Sequence, residues 1–454
     1  MRRRFIAVGL FALLFALGWW AGRSGASSDL YARLDTFIEI LHKVEENYVE
    51  PVEPEHLIHG AVHGMLRDLD PYAEFIDTRT QRDRAAAGAV HPEDGDVGLA
   101  IGARNNAWTV ITPLPGGPAE RAGLRAGDLL LQVDGRSSAS WTRAELGGRL
   151  RGPRGSRVRL NVARPGADTL REIVVTRASL PRLAPPDSRM IEKGIGVVRL
   201  AAFGDSTALQ LRALLRRLRD AGALALVLDL RGSTSGTVRQ GADVAQLLLP
   251  RGALVTVTHG RGHGGDQRLN AAESSPVLDW PVAVVIDGTS AGAAEIVAGA
   301  LQDQDRALLV GRTTFGLASA QSDFALEGGN ATVRFTTAVQ LTPSGRPIQR
   351  FPSQASDDEE TPDADSAATD SATRRAYLTH AGRKVLAGGG IRPDVVVVAD
   401  STSAPTARAG TRPVAGDDRL LRRALAVLRR AHAPRDVFAT AAVRAAGAPD
   451  ERRR

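Results

Sequence analysis

The sequence predicts a multidomain α/β protein with helices at the N-terminus, a β-rich middle section and a layered α/β second half. Three observations predict it. At 454 residues the chain is long enough for two or three cores. Short apolar segments punctuated by glycine and proline fill residues 96–177, the pattern of strands joined by tight turns. From Lys193 onward, continuous apolar strands alternate with amphipathic helices, as in a parallel sheet covered on both faces.

Composition narrows the chemistry. Apolar content of 43% and charged content of 24% are ordinary for a folded protein. The chain has no cysteine, which excludes disulfides, thiolate metal sites and a cysteine nucleophile. The net charge of +7 is carried almost wholly by scattered arginine, with only three lysines, Lys43, Lys193 and Lys384. No stripe of interleaved basic and aromatic residues accompanies it, so nucleic acid is not expected as a partner. No cofactor is expected either.

Residues 1–22 read as a membrane anchor or signal segment. Arg2-Arg3-Arg4 precede an apolar run from Phe5 to Gly22 that ends at Trp19-Trp20, the order of an inside-positive, interface-anchored helix. The run is short for a spanning helix and long for a signal core, and Ala21–Ser27 offers a mediocre cleavage site. An uncleaved inner-membrane anchor is favoured, with the bulk of the chain in the cell envelope outside the cytoplasm.

Residues 23–88 read as a helical region. Leu30, Leu34, Phe37, Leu41, Val44 and Tyr48 alternate at four- and three-residue spacing, a seam that suits either docking on the chain's own domain or pairing with a second copy. The stretch HLIHGAVHGMLRDLDPYAEFID (56–77) reads as a second helix. It places His56, His59 and His63 along one helix, but without an acidic partner or an H-E-x-x-H pattern no metal site is expected.

Residues 89–180, with PAERAGLRAGDLLLQVDG at their centre, resemble a PDZ domain. The resemblance implies capture of polypeptide C-termini or extended segments by strand addition. The segment expected to do so is Val97, Gly98, Leu99, Ala100 and Ile101.

Residues 181–400 form the predicted α/β core. The order is a strand within KGIGVVRL, an amphipathic helix, the buried strand Ala225–Leu230, a glycine turn, a helix over Gln240–Leu249, the strand Val282–Ile286 and a helix from about Ala291. An acidic insert at 352–375, with alanine as its only apolar residue type, reads as disordered. Residues 401–454 read as a C-terminal arginine-rich helix and tail.

The segment VAVVIDGTSAGAAEIVAGALQDQDRALLVGRTTFGLASAQ (282–321) resembles the C-terminal processing peptidases, tail-specific serine proteases with a Ser/Lys dyad. LDPY, TTAVQLTPSGRPIQ and GGGIRPDVVV extend the resemblance over about residues 30–400. Anchoring on Glu295-Ile296 places Gly292 at the family's nucleophile position. Anchoring on Phe315-Gly316 places Leu317 at its lysine position. Glycine has no side chain to attack with, and leucine cannot take a proton. The oxyanion turn reads Arg231-Gly232-Ser233-Thr234-Ser235-Gly236, keeping Gly232 and Gly236. Gln321 and Asp303 match residues retained in the family; a structural role is equally open, Gln321 bonding backbone and Asp303 capping or pairing with Arg306 at i+3.

Ser290 is the fallback nucleophile, though about 200° of helical rotation separates it from Gly292. Thr289 or Ser290 is expected to cap the following helix. His259 and His263 lie in a glycine-rich loop with no spacing that ties them to Ser290. The reading is therefore a catalytically inactive, membrane-anchored homologue that binds polypeptide segments as an adaptor or regulator, alone, as a homodimer or paired with an active relative. The alternatives are an active serine endopeptidase with a non-standard arrangement and a structural envelope protein.

Overall fold

The computed structural model describes residues 25–77, 94–104, 107–182, 184–262, 266–326, 331–350, 375–397 and 418–439. The expected anchor at 1–22, the acidic insert, His263 and the last fifteen residues lie outside them. The chain forms two compact units, divided between Asp68 and Leu69.

The first unit is helical, with α1 over Gly25–Asn47 and α2 over Pro54–Leu69. The seam residues Leu34 and Phe37 are exposed on α1, and Leu41 and Val44 are half-buried. The second predicted helix is shorter than expected. After the Asp70-Pro71 break the chain turns, with the Tyr72 amide donating to Asp70 Oδ1 at 2.8 Å, and Glu74–Asp77 become strand β1.

The second unit begins with that strand. A β-rich domain follows, comprising β2 (Asp94–Asp96), β3 (Leu99–Arg104), β4 (Ala107–Pro113), α3 (Pro118–Arg121), β5 (Leu129–Val133), β6 (Arg136–Ser137), α4 (Arg143–Leu150), β7 (Arg151–Pro153), β8 (Arg157–Ala163) and β9 (Arg171–Thr176). Its main sheet runs β3-β4-β5-β8-β9, so β3 is an edge strand. Strand β8 alternates exposed arginines with buried Val158, Leu160 and Val162, the period of a sheet with one face in a core. Buried Arg177 closes the C-terminal end of α4, donating to the carbonyls of Arg149 at 2.7 Å and Leu150 at 3.3 Å.

The α/β core comprises β10 (Asp187–Glu192), β11 (Ile195–Arg199), α5 (Thr207–Asp220), β12 (Ala225–Asp229), α6 (Val238–Ala245), β13 (Leu254–Gly260), β14 (Gln267–Asn270), β15 (Val282–Ile286), α7 (Ala293–Asp303), β16 (Leu308–Gly311), β17 (Ser319–Ala325), β18 (Ala331–Leu341), β19 (Ala376–Leu378), β20 (Lys384–Leu386), β21 (Val395–Val396) and α8 (Arg419–Leu428). One sheet runs β10-β11-β12-β15-β16-β21 and is parallel beyond its first pair. Its central strands β11, β12, β15 and β16 are buried on both faces. Leu226 and Leu228 join the cluster formed with α5, α6 and α7, whereas Ala225 and Val227 meet Leu421, Leu425 and Leu428 of α8. That two-sided burial is why these strands lack polar alternation in the sequence. In the second sheet β18 is shared, with β17 along one edge and β1 and β13 along the other.

Candidate active-site region and peptide groove

The two turns that leave the carboxyl ends of β12 and β15 meet, at the end of a parallel sheet where open α/β folds place their ligands. The Ala291 amide donates to the Ser233 carbonyl at 2.9 Å, and the Gly232 amide to Thr289 Oγ1 at 2.8 Å. Ser290 is fully buried. Its Oγ donates to the Leu230 carbonyl at 3.0 Å and accepts the Asp287 amide at 3.2 Å. The fallback nucleophile is thus enclosed, with its hydroxyl holding the two turns together. Neither Thr289 nor Ser290 caps α7, because Thr289 is turned toward Gly232 and Asp287.

Gly292 is the residue that starts α7, at φ 62° and ψ −120°. This is a sharp strand-to-helix turn of the kind that presents a nucleophile in other α/β hydrolytic folds. A Cβ built there would meet nothing within 4 Å, so the glycine answers the backbone conformation and not crowding.

Glu295, fully buried, organises what surrounds it. Its Oε2 accepts the amides of Gly292 at 3.1 Å and Leu317 at 2.8 Å; its Oε1 accepts the Gly316 amide at 2.8 Å and the Thr314 hydroxyl. The positions expected to carry nucleophile and base are therefore bound to one carboxylate oxygen. Burial pushes the Glu295 carboxyl above its ordinary value, against the pull of the Thr314 hydroxyl and the three amides.

Leu317 packs with Phe315 and Ala291 of the core and with Ala100 and Ile111 of the β-rich domain. Gln321 is exposed and donates to Ser319 Oγ at 2.9 Å. Asp303 does not pair with Arg306, contrary to the i+3 expectation. It accepts from Arg346 at 2.9 Å, and Ser344 bonds its other oxygen at 2.5 Å. Arg306 turns the opposite way, onto the carbonyls of Leu248, Trp280 and Val277. Gly236 has φ 98°, and a Cβ there would lie 2.4 Å from that of Phe203. His259 pairs with Asp266 at 2.7 Å on an exposed hairpin. Arg231 bridges Asp229 at 2.7 Å and Asp418, the N-cap of α8, at 2.6 Å.

A cleft of about 620 Å³ runs beside these residues, lined on one side by Leu317, Gln321 and Thr234 and on the other by β3 and α4. The five residues expected to bind peptide divide. Leu99, Ala100 and Ile101 line the cleft. Val97 is buried in the domain's core, and the Gly98 amide is taken by Asp96 Oδ1 at 2.7 Å. Along β3 the faces alternate. Leu99, Ile101 and Ala103 turn into the domain's own core, and Ala100 and Gly102 meet the α/β core at Leu317 and Phe315. Arg104 lies 4.9 Å from the Phe315 ring centroid, its guanidinium pushed down to about 10 by burial and by Arg350.

Helix α4, which also lines the cleft, was not among the predicted elements. Its signal is Thr142-x-x-Glu145, a capping box in which the Glu145 amide donates to Thr142 Oγ1 at 3.2 Å and the Thr142 amide to Glu145 at 2.8 Å. The role of Glu295 was equally missed, since three of its four partners lie nineteen to twenty-two residues away in sequence.

Family models match in three places. Peptidase family S41 matches residues 194–358, a PDZ domain 109–164 and the activating protease CtpB N-terminal domain 23–80. A carboxy-terminal-processing protease of Bartonella bacilliformis is 33% identical over 323 residues, 70% of this chain and 73% of its own length. A carboxyl-terminal-processing protease of Picosynechococcus is 32% identical over 375 residues, 77% of this chain and 89% of its own. The solved structure of a photosystem II D1 C-terminal processing protease is similar with a TM-score of 0.58 at 26% identity, covering 80% of this chain and 92% of that one. The expected fold is the observed one, and the chain belongs to the S41 family of C-terminal processing peptidases, with a PDZ domain and a CtpB-type N-terminal domain.

Proposed function

We propose that this S41 homologue binds extended or C-terminal polypeptide segments at the β3 edge without cleaving them, as an envelope adaptor or regulator. Gly292 carries the proposal: it holds a nucleophile's backbone turn and has no side chain. Leu317 supports it, since an apolar residue in an apolar cluster supplies no base. The enclosed Ser290 hydroxyl speaks against relocated chemistry. The place of β3 at the edge of its sheet supports strand addition, although the Ala103 amide there is taken by the Tyr72 hydroxyl at 3.2 Å. Arg2-Arg3-Arg4 ahead of the Phe5–Gly22 run supports an inner-membrane anchor, and release of the chain from membranes by alkaline carbonate would overturn that part.

The test is intact-mass analysis of an unfolded protein and of a peptide with a free apolar C-terminus, incubated with wild type and with Gly292→Ser/Leu317→Lys. Wild type is expected to leave both intact. Cleavage by wild type that is lost in Ser290→Ala would overturn the proposal. Activity in the double variant alone would show that the rest of the site stands. A Gly292→Ala control accounts for strain, since a Cβ at this φ costs about 1–3 kcal/mol.

A further inference from the structure

Helix α8 divides into two faces. Leu421, Leu425 and Leu428 are buried against the parallel sheet. Arg419, Arg422, Arg423, Arg429 and Arg430 fall on the other side, within about 120° of one another at 100° per residue. Four of the five are exposed and Arg423 is half-buried. Lys193, exposed in the turn between β10 and β11, adds a sixth positive charge next to Glu192, the residue that Arg429 pairs with.

Helix stability does not account for the stripe. Arg419 and Arg422 stand in the first turn, where positive charge opposes the helix dipole and no acidic residue accompanies them. The carboxylates at the two ends are committed elsewhere. Asp418 is taken by Arg231 and the Leu421 amide, and Asp436 by the amides of His432 and Ala433. Arg422, Arg423 and Arg430 make no ion pair among the described residues. On α5, which packs on the opposite face of the sheet, Arg212 and Arg219 by contrast meet Glu273 at 2.5 Å and Asp279 at 3.1 Å.

The apolar face of α8 is already spent on the core, so the helix has nothing to insert into hydrocarbon and meets a partner by charge. Four to eight basic residues gathered on one helix are attracted to a surface of anionic phospholipid. Among anionic partners that surface is favoured because the same chain opens with Arg2-Arg3-Arg4 and the apolar run Phe5–Gly22, which as an anchor would hold the folded domains at high local concentration beside a bilayer. We propose that the outer face of α8 docks electrostatically on anionic phospholipid. The choice of partner rests on the anchor reading above.

The chain has no cysteine, so His432→Cys creates a single labelling site just beyond the helix, at an exposed position. The labelled full chain is reconstituted in vesicles of phosphatidylcholine, alone or with phosphatidylglycerol, carrying an acceptor dye on the headgroups. Energy transfer is expected to be stronger with phosphatidylglycerol. It should fall back when salt rises from about 0.1 to 1 M, which shortens the Debye length from about 10 to 3 Å. Arg422→Gln/Arg430→Gln is expected to lower the docked-to-free ratio about 25-fold, at about fivefold for each basic residue near the surface. Arg216→Gln/Arg217→Gln, exposed on α5, should leave it unchanged. Glutamine matches arginine in helix propensity, so both variants keep their helices. Transfer that is equal in the two lipids, indifferent to the α8 variant or lowered as much by the α5 variant overturns the proposal. Release by soluble polyglutamate would also overturn it, making an acidic polypeptide the partner. Flotation with phosphatidylcholine alone tests the anchor separately: a chain that fails to float there yet docks on phosphatidylglycerol loses the anchor and keeps the α8 surface.

Discussion

Glu295 shows how much one side chain can hold. Both oxygens each accept two donors, and those donors come from Gly292, Thr314, Gly316 and Leu317. Glu295→Gln turns an amide toward two of them, leaving buried donors opposed. A loss of about 2–4 kcal/mol is expected, since each unsatisfied buried group costs about 1–3 kcal/mol. Urea unfolding measures it, and a loss below about 1 kcal/mol would show that these bonds are dispensable. Apart from a helix-start glutamate, none of this was legible in the sequence. Spacing along a chain reports neighbours on one element, and Glu295 works between elements. Asp303 misled for the same reason. The i+3 arginine was visible, but Arg346, forty-three residues on, was the closer partner in space.

At the scale of elements, helix α8 is fastened to the turn after β12 by Arg231, which bonds both Asp229 and Asp418. Burial alone would raise the Asp229 carboxyl; the charge and hydrogen bonds of Arg231, with Arg199 nearby, hold it below its ordinary value. A depressed carboxyl stabilises the fold above its unfolded value, near pH 4, and that contribution is lost as pH falls through the folded value. Asp229→Asn leaves Arg231 paired with Asp418 and is therefore expected to cost about 1.5–3 kcal/mol at pH 7, the scale of a lost hydrogen bond to a charged group. The gap from wild type should close as pH falls below about 4. Denaturation curves at several pH values check it; a gap independent of pH would remove Asp229 from the account.

Elements with strong periodicity were legible. The buried strands Ala225–Asp229 and Val282–Ile286 stand where continuous apolar runs placed them. Helix α4 was not, because Gly147-Gly148 erase its apolar period and leave only the capping box. Strand β1 was hidden because its partner, β18, lies more than two hundred residues downstream.

At the scale of the molecule, the PDZ domain meets the α/β core along one face of β3. A Cβ on Gly102 would stand 2.6 Å from the Phe315 ring, so close approach needs glycine there. Gly102→Leu is expected to lift the PDZ domain off the core without unfolding either. Small-angle scattering should show a larger radius of gyration, with faster amide exchange at 315–317; unchanged scattering would mean that the contact does not hold the domains. The same contact bears on how the chain could change over generations. At Gly292 the space for a side chain is open, so a serine there would meet only backbone strain. Leu317 lies in the apolar contact with Ala100 and Ile111, and a lysine in its place would put an ammonium between two domains. On the proposed reading the two losses are unequal under selection. A serine at Gly292 would need no neighbour to move, whereas a lysine at Leu317 would first require the domains to part.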